Sequence, residues 1–135
     1  MKVESLADFA DRKGRRRRVI HAPGALESWD EVAAQLPSQK ANLIEGALMQ
    51  LFTDWIEGAR FHGRWAEPEG NLDRDTKFFA IKRIPVRVYF WYSEIHKDTI
   101  VISHYAKKTW QKLRKADSKR VQANWRDEKS GNTPL

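Results

Sequence analysis

A group of basic and aromatic side chains in the second half of the sequence has the types needed for chemistry on RNA. Lysine and arginine can hold a phosphodiester and neutralise its pentacoordinate transition state, while His and Tyr can exchange protons and aromatic rings can stack on bases. Such a set needs no metal ion. A basic sheet face that only binds an acidic partner is the alternative that spacing alone leaves open. The residues are Lys82, Arg83, Arg87, Tyr89, His104, Tyr105, Lys107 and Lys108.

The motifs of the common cofactor enzymes and metalloenzymes are missing from the sequence. It has no Gly-rich phosphate loop, no dinucleotide-binding fingerprint, no nucleophile-elbow serine, and no His or carboxylate pair at metal-ligand spacing. Cysteine is absent from the 135 residues, which excludes disulfides, zinc fingers and thiol catalysis. We therefore expect no cofactor and no metal.

The net charge of +7 is concentrated in the second half of the chain. Residues 74–126 carry 14 basic and 4 acidic side chains, whereas residues 19–73 carry 3 basic and 9 acidic ones. A basic field attracts polyanions and speeds their association, which favours nucleic acid, the ribosome or an acidic protein as the partner. No apolar run is long enough for a membrane span and the N terminus is charged, so a soluble cytoplasmic protein without a membrane partner is expected.

The N-terminal segment is predicted to be an arm followed by a strand. Residues 1–14 hold only a short apolar set and are assigned to the arm. Arg15–Arg18 run into the apolar residues 19–22, which indicate a short strand closed by a turn. Arg-rich strands typically lie at sheet edges, with direct contact to nucleic acid as the alternative role of these arginines.

Two helices are predicted in the acidic part of the chain. Ser28 and Glu31 form a capping-box pattern at the start of the first helix. Ser38 is placed to cap the second helix, which has a broad apolar stripe from Ile44 to Ile56. Short spacing between them predicts a helical hairpin.

Three strand patterns carry most of the basic and aromatic group. Residues 76–83, 86–92 and 99–106 are rich in β-branched and aromatic side chains and are joined by short links, which predicts an antiparallel meander. Simple alternation separates His104 from Tyr105, with His104 on the face of Ile100 and Ile102.

The remaining segments complete a small single-domain α+β fold over residues 15–126. Residues 60–75 are predicted to be a connecting loop, the segment after Thr109 a basic surface helix, and residues 127–135 a flexible tail. The predicted order is an N-terminal strand, a two-helix hairpin, a three-stranded antiparallel meander and a C-terminal basic helix.

This order and two sequence motifs resemble the RelE/ParE superfamily of bacterial type II toxins, with the phage-derived HigB-like branch closest. The motifs are R-V-Y-F at Arg87 to Phe90 and I-V-I-S-H-Y-A-K-K-T at Ile100 to Thr109, and the resemblance spans the chain from Arg17 to Trp125. It implies a RelE-like fold with a four-stranded antiparallel sheet. It also implies a toxin-antitoxin system in which a cognate antitoxin neutralises the toxin in a hetero-oligomer.

The activity that the resemblance implies is translation inhibition by ribosome-dependent mRNA cleavage, the work of a metal-independent endoribonuclease (mRNA interferase). In the mechanism we expect, a ribose 2′-hydroxyl attacks the adjacent phosphate while cations steady the phosphorane. His104 is added as proton carrier because an imidazole titrates near neutral pH. The predicted catalytic residues are Arg87, Lys107, His104, Tyr105 and Lys82, and the predicted RNA-binding residues are Arg83, Lys108, Tyr89 and Lys112.

Two other functions stay open at this point. A ParE-like inhibitor of DNA gyrase would share the fold but lack the phosphate-handling set. A non-enzymatic basic adaptor would bind nucleic acid or an acidic protein and cleave neither.

Overall fold

Helical periodicity and strand alternation in the sequence become helices and strands at nearly the expected places in the computed structural model, which describes residues 4–60, 66–108 and 113–131. Within those residues a 3-10 turn at Leu6–Phe9 precedes the first strand. The strands are β1 (Asp11–Lys13), β2 (Arg18–His21), β3 (Ala66–Asn71), β4 (Lys77–Arg83), β5 (Val86–Tyr92) and β6 (Thr99–Lys107), and the α-helices are α1 (Ala25–Ala34), α2 (Ser38–Ile56) and α3 (Lys115–Lys129). The predicted α+β class is confirmed.

All six strands join one mixed sheet in the order β1-β2-β6-β5-β4-β3. The β4–β5–β6 meander is antiparallel, as the short links predicted. β2 pairs in parallel with β6, with Val19 opposite Ile100. Parallel pairing needs a long connection, which the chain from α1 to β5 provides. The four-stranded antiparallel sheet implied by the resemblance is therefore wrong, because the sheet has more strands and one parallel pair.

The segment predicted to be an N-terminal arm packs on the domain instead. Leu6 and Phe9 are fully buried, and the Phe9 ring lies 5.5 Å from the Phe52 ring of α2. β1 then pairs with β2, with Arg12 opposite Val19. β2 is consequently an internal strand, and its prediction as an edge strand was wrong. Two apolar side chains in a polar segment were enough to anchor it.

The segment predicted to be a connecting loop contains the edge strand β3. It pairs antiparallel with β4, with a register shift between Pro68 and Gly70. Proline and glycine are uncommon inside strands but are tolerated at an edge, where one side of the strand needs no ladder partner. The same two residues made the segment look like a loop in the sequence.

Both helix caps differ from the prediction, although the helices themselves are confirmed. α1 begins before Ser28, after Gly24, whose φ of 86° lies in the left-handed region that glycine tolerates. Ser28 is buried inside α1, where its hydroxyl donates to the carbonyl of Ala25 and accepts the amide of Tyr105 at 2.9 Å. Ser38 is the first residue of α2 and the cap position belongs to Pro37.

The sheet is covered on both faces and so separates two apolar cores. α1 and α2 pack on one face, and α3 packs on the other. The core on the first face includes Val19, Trp29, Ile44, Leu48, Phe52, Trp55, Val88, Phe90 and Ile102. The core under α3 includes Phe78, Ala80, Tyr89, Trp91, Val101, Val121 and Trp125.

A buried carboxylate fixes the C-terminal end of α3. Glu128 is 5% exposed, and its oxygens accept hydrogen bonds from the Trp91 indole at 2.8 Å and from the Ser93 hydroxyl at 2.7 Å. α3 therefore continues as packed helix into the segment predicted to be a flexible tail from residue 127. Residues 132–135 of that tail lie outside the described residues.

Candidate functional site

A β-bulge in β6 decides which face of the sheet His104 and Tyr105 each occupy. Tyr89 pairs with His104, but the next residue, Phe90, pairs with Ile102, so Ser103 is an extra residue in β6. Side-chain alternation shifts by one across such a residue. His104 therefore faces α3 and Tyr105 faces α1 and α2, the reverse of the placement that simple alternation predicted.

Tyr105 is held in the core on the α1 and α2 face. Its hydroxyl donates to Nε2 of His21 at 2.7 Å, and Nδ1–H of His21 donates to the carbonyl of Phe9 at 2.7 Å. Because a carbonyl only accepts, the proton of the neutral imidazole must be on Nδ1. Burial raises the pKa of Tyr105 well above 10 and lowers the pKa of His21 to about 4. The structure does not bring Tyr105 together with Arg87 or His104.

Four of the predicted site residues do meet on the other face, beneath the first turn of α3. The Tyr89 and His104 rings lie 5.0 Å apart, and the ammonium of Lys108 donates to the Tyr89 hydroxyl at 3.2 Å. Asp117 of α3 accepts a hydrogen bond from His104 Nε2 at 3.0 Å and lies 3.9 Å from the Lys108 ammonium. We call Arg87, Tyr89, His104, Lys108 and Asp117 the α3-side cluster.

The α3-side cluster includes a hydrogen-bond relay with the order of a hydrolase triad. The amide of Asn124 donates to the Ser103 hydroxyl at 3.0 Å, Ser103 donates to His104 Nδ1 at 2.9 Å, and His104 Nε2–H donates to Asp117. In a hydrolase the serine must meet its substrate. Ser103 is fully buried, so in this structure the relay joins β6 to α3 and does not present a nucleophile.

Burial sets the charges of the cluster. It raises the pKa of Tyr89 to about 12, with a further contribution from the negative charge of Asp117. Burial lowers the pKa of His104. Burial and the nearby positive charge of Arg87 both lower the pKa of Lys108. Burial is the largest influence on Asp117 and opposes its ionisation. The hydrogen bond from His104 and the nearby positive charges, among them Lys108 and Arg114, together outweigh burial and lower the pKa of Asp117. At neutral pH the imidazole of His104 is neutral and Asp117 is ionised.

We expect Asp117→Ala to lower the free energy of unfolding by about 1–3 kcal/mol, because it leaves the buried His104 Nε2–H without an acceptor. Chemical denaturation measures the change. Asp127→Ala is the matched control, since Asp127 is an exposed carboxylate on the same helix. An equal effect of the two substitutions would contradict a role for the relay in docking α3.

Arg87 and Lys82 are paired with carboxylates of the edge strand β3. Arg87 is 5% exposed and donates to Glu69 Oε1 at 2.6 Å. Lys82 donates to Glu67 at 3.1 Å and lies 3.9 Å from Glu69. Sequence reasoning missed Glu69 because it lies in the segment predicted to be a loop, and no motif marks it.

Lys107, like the buried Tyr105 before it in β6, lines an open groove. At the end of β6 it lines a space of about 410 Å³ between α1 and the start of α3. We call this space the β6 end groove. Lysine and two arginines form its basic part, and Glu31 of α1 lies in the same lining. The lining residues are Ser28, Glu31, Val32, Gln35, Tyr105, Ala106, Lys107, Arg114 and Arg120.

The predicted RNA-binding residues do not line the β6 end groove within the described residues. Arg83 is half-buried at the end of β4, and Tyr89 and Lys108 are buried in the α3-side cluster. Lys112 lies outside the described residues. Glu31 was predicted only as a capping-box residue, and neither Glu31 nor Arg120 was predicted to belong to the site, because helical residues far apart in the chain carry no spacing signal.

Comparisons with known proteins add no relative: no family model, no curated protein and no solved structure matches the chain. Across residues 4–60, 66–108 and 113–131, no group of three or more His, Asp or Glu side chains is placed to hold a metal ion. In the same residues no helix combines the length and apolar character needed to cross a bilayer.

Proposed function

We propose that this protein is a RelE-like toxin that cleaves mRNA, and that the β6 end groove is its cleavage site. The observation that carries the proposal is the composition of this groove, where Lys107, Arg114 and Arg120 share one open space with the carboxylate of Glu31. Cations can bind a phosphodiester and stabilise its phosphorane, while a carboxylate can accept a proton. No ion pair involves Lys107 or Arg114 among the described residues, so their charges are available for a ligand.

The proposed family assignment rests on element order and on the motif at the end of β6. In a RelE-like arrangement, β2, α1, α2, β4, β5, β6 and α3 would be the common core, and β1 and β3 would be additions at the two sheet edges. The first lysine of the K-K-T motif, Lys107, lies in the groove, and the second, Lys108, is buried in the α3-side cluster. The resemblance and the groove thus both favour the C-terminal end of β6 as the position of the proposed site.

In the proposed reaction the ribose 2′-oxygen attacks the adjacent phosphorus and its proton goes to Glu31. The bond from phosphorus to the 5′-oxygen breaks, which leaves a 2′,3′-cyclic phosphate and a 5′-hydroxyl that takes a proton from Lys107 or water. Arg114 and Lys107 stabilise the charge of the phosphorane. Arg87 has no step in this mechanism, because it is buried and paired with Glu69.

The proposal is tested by primer extension on an mRNA translated in the presence of the purified protein. Glu31→Gln should slow cleavage by about 10²-fold through loss of the proton acceptor. Lys107→Ala combined with Arg114→Ala should slow it by a similar factor or more through loss of phosphorane stabilisation. Glu27→Gln and Lys77→Ala are matched controls, since both residues are exposed and neither lines the groove.

Expression without a partner should also arrest growth, and an acidic antitoxin encoded beside the gene should restore it. Cuts within translated frames that disappear in the groove variants support the proposal. DNA damage of the gyrase type without RNA cuts would favour the ParE-like function. Normal growth and translation at high expression would favour a non-enzymatic adaptor.

A further inference from the structure

A second basic surface lies at the other end of β6, around the turn between β1 and β2. It is a groove of about 580 Å³ lined by six cationic side chains and by the loop that leads into β6. We call it the basic turn groove. Its lining residues are Lys13, Arg15, Arg16, Arg17, Arg18, Ile95, His96, Lys97, Asp98 and Thr99.

The turn itself is fixed to the C-terminal end of α2. The amides of Arg16 and Arg17 both donate to the carbonyl of Ile56, at 2.9 and 3.0 Å. Gly14 lies so close to Ile56 that a Cβ atom on residue 14 would be 2.6 Å from the isoleucine side chain. A segment held this way loses little conformational freedom when a ligand binds.

The side chains of two of the four consecutive arginines have structural partners. Arg18 makes a two-pronged pair with Asp11, at 2.7 and 2.6 Å. Arg17 donates to the carbonyl of Ala59 at 2.6 Å, and its guanidinium lies 4.9 Å from the centre of the Trp55 ring. These contacts explain why part of the cationic run is half-buried, and they leave the rest of the run for another use.

The remaining cations of the groove face solvent. Lys13, Arg15, Arg16 and Lys97 are exposed, and none of them forms an ion pair within the described part of the chain. Lys13, Arg15 and Arg16 lie in or beside the fixed turn and Lys97 in the loop that leads into β6, and like charges that line one groove repel one another. A bound polyanion would relieve that repulsion. On a flexible surface the same cations would move apart.

An exposed aromatic ring lines a cavity that adjoins the basic turn groove. Tyr92 is 43% exposed and lines an adjoining cavity of about 420 Å³ that shares Arg17, Asp98 and Thr99 with the basic turn groove. The Phe79 ring packs edge-on against Tyr92 at 5.1 Å and fixes its orientation. Positive charge that follows a backbone together with a ring that can stack on a base is the pattern of single-stranded nucleic-acid binding. An acidic peptide would use the charge but not the ring.

We infer that the basic turn groove binds the sugar–phosphate backbone of single-stranded RNA through Arg15, Arg16, Lys13 and Lys97, with one base stacked on Tyr92. This site is separate from the β6 end groove, since the two lie at opposite ends of a nine-residue strand, about 25 Å apart at 3.3 Å per residue. The inference rests on the proposed function only for the choice of RNA as ligand. A single RNA strand that reaches both grooves would be held at one and cut at the other.

The test uses a fluorescein-labelled 2′-O-methyl RNA of about 12 nucleotides, a length within the range of single-stranded binding sites. This probe has no free 2′-hydroxyl and is not cleaved by the proposed mechanism, so binding is measured apart from cleavage. Anisotropy titrations over a range of salt give the affinity and the salt slope. The control for charge is Lys40→Ala with Lys77→Ala, two exposed lysines outside both grooves.

Arg15→Ala with Arg16→Ala should weaken binding by at least about tenfold and reduce the salt slope by about 1.4, because each lost single-strand phosphate contact accounts for about 0.7. Tyr92→Ala should weaken binding by about tenfold at every salt concentration. Tyr92→Phe should bind with the affinity of the wild type, since it retains the stacking ring. Unchanged circular dichroism and melting temperature confirm that the variants are folded.

Equal binding by the wild type and the Arg15 and Arg16 variant overturns the inference, whether or not the protein cleaves mRNA. So does preferential binding of a labelled polyglutamate peptide, which would make an acidic protein the ligand. RNA binding that depends on Arg15, Arg16 and Tyr92 supports the inference even if cleavage is never seen. In that case the proposed cleavage function alone fails.

Discussion

Arg87→Ala should lower the free energy of unfolding by about 3–5 kcal/mol, the cost of removing one partner of a buried ion pair. The guanidinium is 5% exposed, donates to Glu69 at 2.6 Å and also hydrogen-bonds the buried Tyr89 hydroxyl. Its removal leaves the carboxylate of Glu69 in a mostly buried position without that partner. Urea denaturation of the wild type and the variant measures the loss.

A double-mutant cycle with Glu69→Ala shows whether the pair itself is responsible. The double variant should be less destabilised than the sum of the single variants, because neither charge is then left uncompensated. Lys77 is an exposed lysine at the start of β4. Lys77→Ala should therefore change the free energy of unfolding by less than about 0.5 kcal/mol. A fully stable Arg87→Ala protein that has lost mRNA cleavage would instead return Arg87 to the phosphate-binding role that the resemblance implies.

Acid should destabilise the protein through His21, by about 3 kcal/mol between pH 6.5 and pH 4. Burial lowers the pKa of this histidine to about 4, below its ordinary value of 6.5, so the unfolded chain binds the proton more readily than the folded one. The stabilisation is complete above pH 6.5 and is lost as the pH falls through this window. Protonation of Nε2 would also remove the acceptor of the Tyr105 hydroxyl. Unfolding free energies measured from pH 4 to 8 give the slope.

His21→Gln should flatten that slope. A part of the slope should remain in His21→Gln, since burial lowers the pKa of His104 as well. Should the full slope persist without His21, the assignment of the acid sensitivity to this residue would be wrong.

The elements with strong periodicity could be predicted from the sequence. The apolar stripe of α2 from Ile44 to Ile56 repeats often enough to define a buried helix face, and the run of β-branched and aromatic residues in β5 is long enough to define a strand. The antiparallel pairing of β4, β5 and β6 could be predicted because short links between strands permit only antiparallel neighbours. Patterns of this kind depend on local chain geometry, which a sequence records directly.

The candidate site was less predictable because its placement depends on contacts between distant residues. The bulge at Ser103 has no local signature, yet it exchanges the faces that His104 and Tyr105 occupy. Arg87 pairs with Glu69 of β3. This strand was predicted to be a loop because it contains Pro68. A charged residue is buried when another element packs over it, and here these elements are α3 and β3. The positions of α3 and β3 in the fold cannot be predicted from the spacing of basic residues.

The parallel pairing of β2 with β6 sets the order of events during synthesis. Residue 19 finds its strand partner only when residue 100 has been made, so the centre of the sheet closes late. Non-local contacts of this kind slow folding. A ribosome that has produced only the first two helices carries a chain with an incomplete sheet and neither groove. The protein therefore acquires both grooves only after most of the chain has been synthesised, and an interrupted translation product would lack them.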